Sequence, residues 1–395
     1  MTNKNKLTIT LLSSLLIISC QTKVKEKDLA LNTSIIQEHS IYEENPYLVE
    51  FDKLSPSYIL SKANEVEDFY IKNIKKSGYT GSFLVAKNGQ IIYEDYSGFA
   101  NKRNAEQITE NTPIHVASVG KVVTAVTIMR LIDMGKLELD QSVSEIIEGF
   151  PYPEITVKTL LSHRSGLRYY GYYGEVWSYK TPIKNQDVID IIKSEKVDLD
   201  FSPNTRFSYS NTNYVVLASI VEKVTNKTFR EAVRELIFDP LEMKNSFVFD
   251  DLDKKNDVTQ SYKSNYTPMH WDYMDSTYGD KNIYVTPRDF LKLDTALYSE
   301  TFLSEKLRKQ MFQGYSFENK GVRNYGLGFR LIEMTNGDTF TYHNGWWRGN
   351  TSSYIRLEKD NVCIILFSNK YSKLTYKTVD LSHHFGDYPV GNLEL

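Results

Sequence analysis

Apolar and polar positions along this chain repeat with two different periods, and the switches between them mark its elements. The run Gly81–Lys87 and residues 91–96 are rich in apolar and β-branched side chains, and Asn88-Gly89 lies between them. That pair predicts a two-residue hairpin turn joining two strands. Residues 118–134 change to a helical pattern in which Val122, Val123, Val126, Ile128, Met129, Leu131 and Ile132 cover most of the circumference. A helix apolar on nearly every side is predicted to be central rather than superficial, and Gly135 is placed to end it. A second helix is predicted over 214–224. Residues 328–332, 340–343, 352–357 and 362–367 read as successive strands joined by turns. Strands at both chain ends with helices between them predict an α/β (α+β) fold. Its antiparallel sheet is formed from both ends and flanked by helices, with a mostly helical inserted subdomain.

The first 53 residues do not share this patterning. Lys4 and Lys6 precede an apolar run over 7–18, too short to span a membrane comfortably, and small Ser19 then precedes Cys20. This arrangement resembles a bacterial lipoprotein signal, residues 1–20, in which Cys20 becomes the lipid-modified first residue. It implies export and a lipid anchor in a cell-envelope membrane, on the periplasmic or outer surface. Residues 21–53 are polar and mixed in charge, as expected of a tether, and 54–395 read as a single folded unit. The other cysteine, Cys363, lies in an apolar run and is expected to be a buried core residue. A net charge of -3 gives no electrostatic footprint for nucleic acid.

Candidate chemistry begins at Ser118. A serine hydroxyl needs a neighbouring base to become a nucleophile, and Lys121 lies three residues on, one turn away on the same helix face. Ser118 is the only serine in the chain followed by lysine at that spacing. The helix start adds free N–H groups and a partial positive charge beside the hydroxyl. The second element is Tyr209-Ser210-Asn211, ahead of the next helix. In an extended stretch Tyr209 and Asn211 face one way, a phenol to move protons and a carboxamide to hydrogen-bond. The third is His343-Asn344-Gly345-Trp346 at a strand end, where glycine lets a substrate approach the backbone.

Together these three elements resemble the serine β-lactamase and penicillin-binding protein family, within its class C β-lactamase, D-alanyl-D-alanine carboxypeptidase and esterase branch. That family carries Ser-x-x-Lys, Tyr-x-Asn and Lys/His-x-Gly in this order. Residues 155–167, 237–243 and 325–329 echo its phrasing, so the likeness runs from about residue 81 to 369. The resemblance implies a serine hydrolase working through an acyl-enzyme on a peptide or ester carbonyl, of D-Ala-type carboxypeptidase or esterase kind, without metal or cofactor. Ser118, Lys121 and Tyr209 would be catalytic. Asn211, His343, Asn344, Gly345 and Arg330 would bind substrate, with Asn211 also helping to hold Lys121. The N–H groups of Ser118 and Trp346 would form the oxyanion hole. His343 and Asn344 depart from the commoner Lys and Thr, which weakens the expectation of β-lactam hydrolysis. A β-lactamase and a non-catalytic peptidoglycan- or ligand-binding envelope protein stay open as alternatives. His163 is expected to be structural, His383-His384 a surface pair, and Tyr169, Tyr170, Tyr172, Tyr173 and Trp177 either cleft rim or packing.

Overall fold

Alternate side chains of the terminal strands face opposite ways, and here both directions are buried. The computed structural model describes residues 45–388, apart from 175, 176, 178, 179, 195, 196, 319, 320, 335 and 336. The expected signal segment with Cys20, and most of the expected tether, lie outside the described residues. The packed chain begins before the expected boundary at 54. The Asn45 amide donates to the Pro240 carbonyl at 2.7 Å, and the Thr301 hydroxyl donates to the Pro46 carbonyl at 2.6 Å. Tyr47 and Phe51 account for the difference, since each meets an aromatic ring of the body edge-on, Phe302 and Tyr298.

The chain order is α1 (Pro56–Asn73), β1 (Gly81–Lys87), β2 (Gln90–Ser97), β3 (Ile114–His115), α2 (Gly120–Asp133), α3 (Thr212–Thr225), β4 (Phe247–Val248), β5 (Ile283–Val285) and α4 (Pro287–Ala296). It closes with β6 (Arg323–Tyr325), β7 (Arg330–Glu333), β8 (Thr339–Trp347), β9 (Asn350–Leu357) and β10 (Val362–Ser368), shorter helices and the two-stranded ribbon of Phe99–Asn101 with Glu106–Gln107 aside. Seven strands form one antiparallel sheet in the order β2-β1-β10-β9-β8-β7-β6, so the N-terminal hairpin closes against the last strand. The register pairs Gly81 with Ser368 and Lys87 with Val362. A smaller sheet, β3-β5-β4, leads into the site.

The period-2 rule divides the apolar residues between two cores. Phe83, Val85, Ile364 and Leu366 pack with Val66, Tyr70 and Ile74 of the α1 region on one face. Leu84, Ala86, Cys363, Ile365 and Phe367 join α2 and α3 on the other. This explains why β1 and β10 read as nearly continuous apolar runs. The fully apolar circumference of α2 is explained likewise, because α3 packs on one side of it and every residue from Gly120 to Met129 is buried. The helix starts at Gly120 rather than 118, because Ala117, with φ 48°, sits in a left-handed turn that an α-helix cannot include.

One buried charge ties the sheet to α4. Arg356 of β9 is fully buried, and its guanidinium donates at 2.8 Å to both the side chain and the backbone carbonyl of Asp294, while Tyr354 donates to the same carboxylate at 2.6 Å. Removing one partner strands the other charge in the core. Asp294→Ala is therefore expected to lower unfolding free energy by about 3–5 kcal/mol in denaturant titration. The apolar pair Asp294→Leu with Arg356→Met should recover most of that loss, and an additive double variant would contradict this account.

Candidate active site

Ser118 stands in the 3₁₀ turn Ala117–Val119, between β3 and α2. The strained Ala117 before it is held by His115, whose Nδ1 accepts the Ala117 N–H at 3.1 Å. The His115 Nε2 faces Asn282 Oδ1 at 3.1 Å, and Asn282 Nδ2 donates to the carbonyls of Asp275 and Thr277. The Asn282 backbone N–H also points at this Nε2, at 3.2 Å, so Asn282 meets it through both main chain and side chain. Burial is the main force pushing His115 down to about 4.

Lys121 lies one turn further on and is fully buried. Its Nζ donates to Ser118 Oγ at 3.0 Å and to the Asp280 carbonyl at 2.6 Å. It also lies 5.3 Å above the Tyr209 ring and 5.6 Å above the Tyr214 ring. Asn211 was expected to help hold this amine, but the second hydrogen bond goes to Asp280. The Asn211 backbone is helical (φ -63°, ψ -28°) rather than extended. Its amide instead interacts with the Tyr169 hydroxyl, and its buried Oδ1 has no hydrogen-bond partner.

Tyr209 is enclosed by cations and a ring. The Arg330 guanidinium lies 5.0 Å from the ring centre, and His163 packs 4.2 Å from it at a 34° tilt. The His163 Nδ1 accepts from the Ser210 N–H at 3.2 Å and from Asn213 Nδ2 at 3.0 Å. Burial first, then Lys121, holds this imidazole well below the usual histidine range. His163 thus supports Tyr209 from behind. Arg330 has no ion-pair partner among the described residues, and its buried Nε makes no hydrogen bond.

Strand β8 closes the other side. A Cβ on Gly345 would come within 2.9 Å of the Ser118 N and 2.7 Å of the Val116 carbonyl, so only glycine allows the strand this near the turn. His343 was expected among the substrate-binding residues and is instead fully buried. Its Nδ1 donates to the Asn344 carbonyl at 2.8 Å, and its Nε2 accepts from the Tyr325 hydroxyl at 3.1 Å. Burial, followed by the Arg330 and Lys121 charges, holds it neutral. Asn344 is half-buried with an unpartnered Oδ1, and Trp346 is 63 % exposed.

The segment 275–283 was not singled out by sequence reasoning. Its Asp275 carboxylate accepts from the Trp347 indole and from Arg348, each at 2.7 Å, at the tip of the β8–β9 hairpin. Buried Lys281 lies 4.6 Å over the Trp347 ring and donates to Asp280 and to Tyr170. No periodicity or motif spacing marks these residues, and the alternation of Asp, Lys and Asn resembles an exposed loop. Among the described residues no His/Cys/Asp/Glu group is arranged to hold a metal ion.

A family model described as Beta-lactamase matches residues 71–383. Penicillin-binding protein 4* of Bacillus subtilis is 28 % identical over 77 % of this chain and 71 % of its own length. The teichoic acid D-alanine hydrolase of Staphylococcus aureus is 25 % identical over 78 % of this chain and 80 % of its own. Among solved structures, a penicillin binding protein from Bacillus halodurans superimposes with a TM-score of 0.70 at 23 % identity, covering 80 % of this chain and 98 % of that one.

Three buried histidines held neutral give a signed pH dependence. Each has a folded value below its unfolded one, so between the two the unfolded chain binds more protons and stability rises with pH. That contribution is complete above about pH 6.5 and is lost as pH falls, with His115 alone worth about 3 kcal/mol by pH 4 at roughly 1.4 kcal/mol per unit. Denaturant unfolding from pH 7.5 to 4.5 should show this decline. A profile flat across that range would contradict the neutral assignment.

Proposed function

Because the chain belongs to the beta-lactamase family, we propose that it is a serine hydrolase of D-alanyl esters or peptides with Ser118 as nucleophile. One observation carries the reading: the Lys121 amine lies 3.0 Å from the Ser118 hydroxyl, beside a strand that only Gly345 lets come so close. Oγ attacks the substrate carbonyl as Lys121 receives its proton, and negative charge develops on the carbonyl oxygen. The Ser118 and Trp346 N–H groups stabilise that oxygen. The tetrahedral intermediate collapses by expelling the leaving alcohol or amine, which takes a proton through Lys121 and Tyr209. Water then attacks the acyl-enzyme, gives up its proton along the same route, and regenerates Ser118.

The substrate class rests on two supports. The Staphylococcus relative is named for D-alanine hydrolysis from teichoic acid, and a D-alanyl ester is the simplest acyl group fitting that chemistry. Within the site, His343 is neutral and buried, so β8 offers no fixed cation for a β-lactam carboxylate. Arg330 carries the free positive charge near Tyr209, and Asn211 and Asn344 each present an unpartnered oxygen for an N–H donor such as an ammonium or amide. Residues 1–20 would export the chain and Cys20 would anchor it to an envelope membrane.

Ser118→Ala is expected to lower kcat at least about 10³-fold on a D-alanyl ester and to abolish labelling by a fluorophosphonate, with the fold kept. Wild type should hydrolyse the D-alanyl ester and diacetyl-Lys-D-Ala-D-Ala faster than nitrocefin. Equal labelling of wild type and Ser118→Ala would rule out the nucleophile assignment. Faster turnover of nitrocefin would favour a β-lactamase instead.

A further inference from the structure

Every antiparallel strand of the large sheet turns back at the same two ends. The end that carries Trp346 therefore also carries the close of β10 and the start of β1. Just past β10 an open groove of about 240 Å³ is lined by Ser264, Lys370, Tyr371, Ser372 and Lys373 together with residues 77–80. No carboxylate lines it. An aromatic pair lies between it and the active-site strand, with the Tyr371 ring 5.8 Å from the exposed Trp346 ring. From β8 to β10 is two strand spacings, so the close of β10 lies roughly 10 Å from Trp346 along the sheet end.

The charge here is uncompensated. The Lys370 Nζ lies 5.1 Å and the Lys102 Nζ 4.5 Å from the same Tyr266 ring. Two ammonium groups over one phenol repel each other, and neither forms a salt bridge among the described residues; Lys370 donates only to the Gly78 carbonyl, at 2.6 Å. Lys373 is exposed and has no ionic partner among the described residues, on a chain whose net charge is -3. Burial and the neighbouring Lys102 both disfavour the charged form of Lys370, a cost that a bound anion would reverse. Lysines gathered without acids, interleaved with serine hydroxyls, match the oxygens of a phosphodiester better than an apolar or cationic guest.

We propose that this groove is a subsite for the phosphodiester backbone of an anionic polymer whose pendant acyl ester enters the Ser118 site. The inference rests on the hydrolase reading above and adds the polymer to it. Trp346 and Tyr371 bridge the two sites, stacking on the uncharged part of the chain between a phosphate held by Lys370, Lys373 and Lys102 and the ester at Ser118. The enzyme then selects its substrate by the backbone as well as by the acyl group.

Calorimetric titration of poly(glycerol phosphate) into full-length Ser118→Ala protein tests the groove without turnover. Binding is expected at low salt and should weaken as salt rises. The exposed-lysine variant Lys102→Gln/Lys373→Gln, in the same background, should bind roughly tenfold or more weakly, since each ammonium contact is worth about fivefold. With Ser118 restored, that lysine variant should hydrolyse a small neutral ester at the wild-type rate, which separates failure of the groove from failure of the nucleophile. Absence of polymer binding, or equal binding with and without the lysines, would overturn the proposal. Lysine-dependent binding to phosphatidylglycerol vesicles in place of the polymer would also overturn it, in favour of a membrane-facing patch.

Discussion

The contact on which the remaining geometry depends is the buried amine of Lys121, held between the Ser118 hydroxyl and the Asp280 carbonyl. An ammonium or amine deep in a protein is costly unless each donor is met, and its surroundings here are otherwise aromatic. The carbonyl at 2.6 Å fixes the amine's position, so Nζ can meet the hydroxyl at 3.0 Å without a carboxylate beside it. A backbone oxygen fixes position and supplies no full charge. The two aromatic faces add attraction for a cation but cannot take its proton.

The same economy of charge runs through the rest of the site. His163, His343 and His115 are all buried and neutral, and they act through hydrogen bonds rather than through charge. The Lys121 and Arg330 charges push His163 and His343 further down, and those of Lys281 and Arg348 do the same to His115. Among the described residues Arg330 is the one guanidinium packed over Tyr209. Its guanidinium carbon lies 5.0 Å from the ring centre, and the Lys121 Nζ lies 5.3 Å from the same centre.

Most of the sheet and the two main helices were legible because their apolar residues follow a period that burial enforces. The Asn88-Gly89 turn and the continuous run through Cys363 each carry a local signal, and the structure places both as read. Ser118, Lys121 and Gly345 were legible for a different reason: their spacing is set by one helical turn and one close backbone approach. The surroundings of Asn211 and His343 carried no such local signal: the Asn211 backbone is helical and its amide meets Tyr169, and His343 is fully buried. Asp275, Asp280 and Lys281 left no trace, since their partners lie far away in sequence and come together only through the fold.

That last segment explains how two distant parts of the chain keep one geometry. Residues 275–283 touch the turn side through Asp280 on Lys121, Gly279 on Thr124, Asn282 on His115 and the Ile283 carbonyl on the Val116 N–H. They touch the strand side through Asp275 on Trp347 and Arg348 and through Lys281 over Trp347. This stretch therefore links the Ser118 turn to the tip of the β8–β9 hairpin, in addition to the direct contact in which the Ser352 hydroxyl donates to the Val116 carbonyl at 2.6 Å. Such a link would matter to the proposed oxyanion hole, because two donors aimed at one oxygen lose most of their effect when either drifts by an ångström. The buried Asp280–Lys281 pair fits that role. Such a pair adds little net stability, but its orientation is fixed by Tyr170 and Thr277, and it fixes in turn the carbonyl that Lys121 needs.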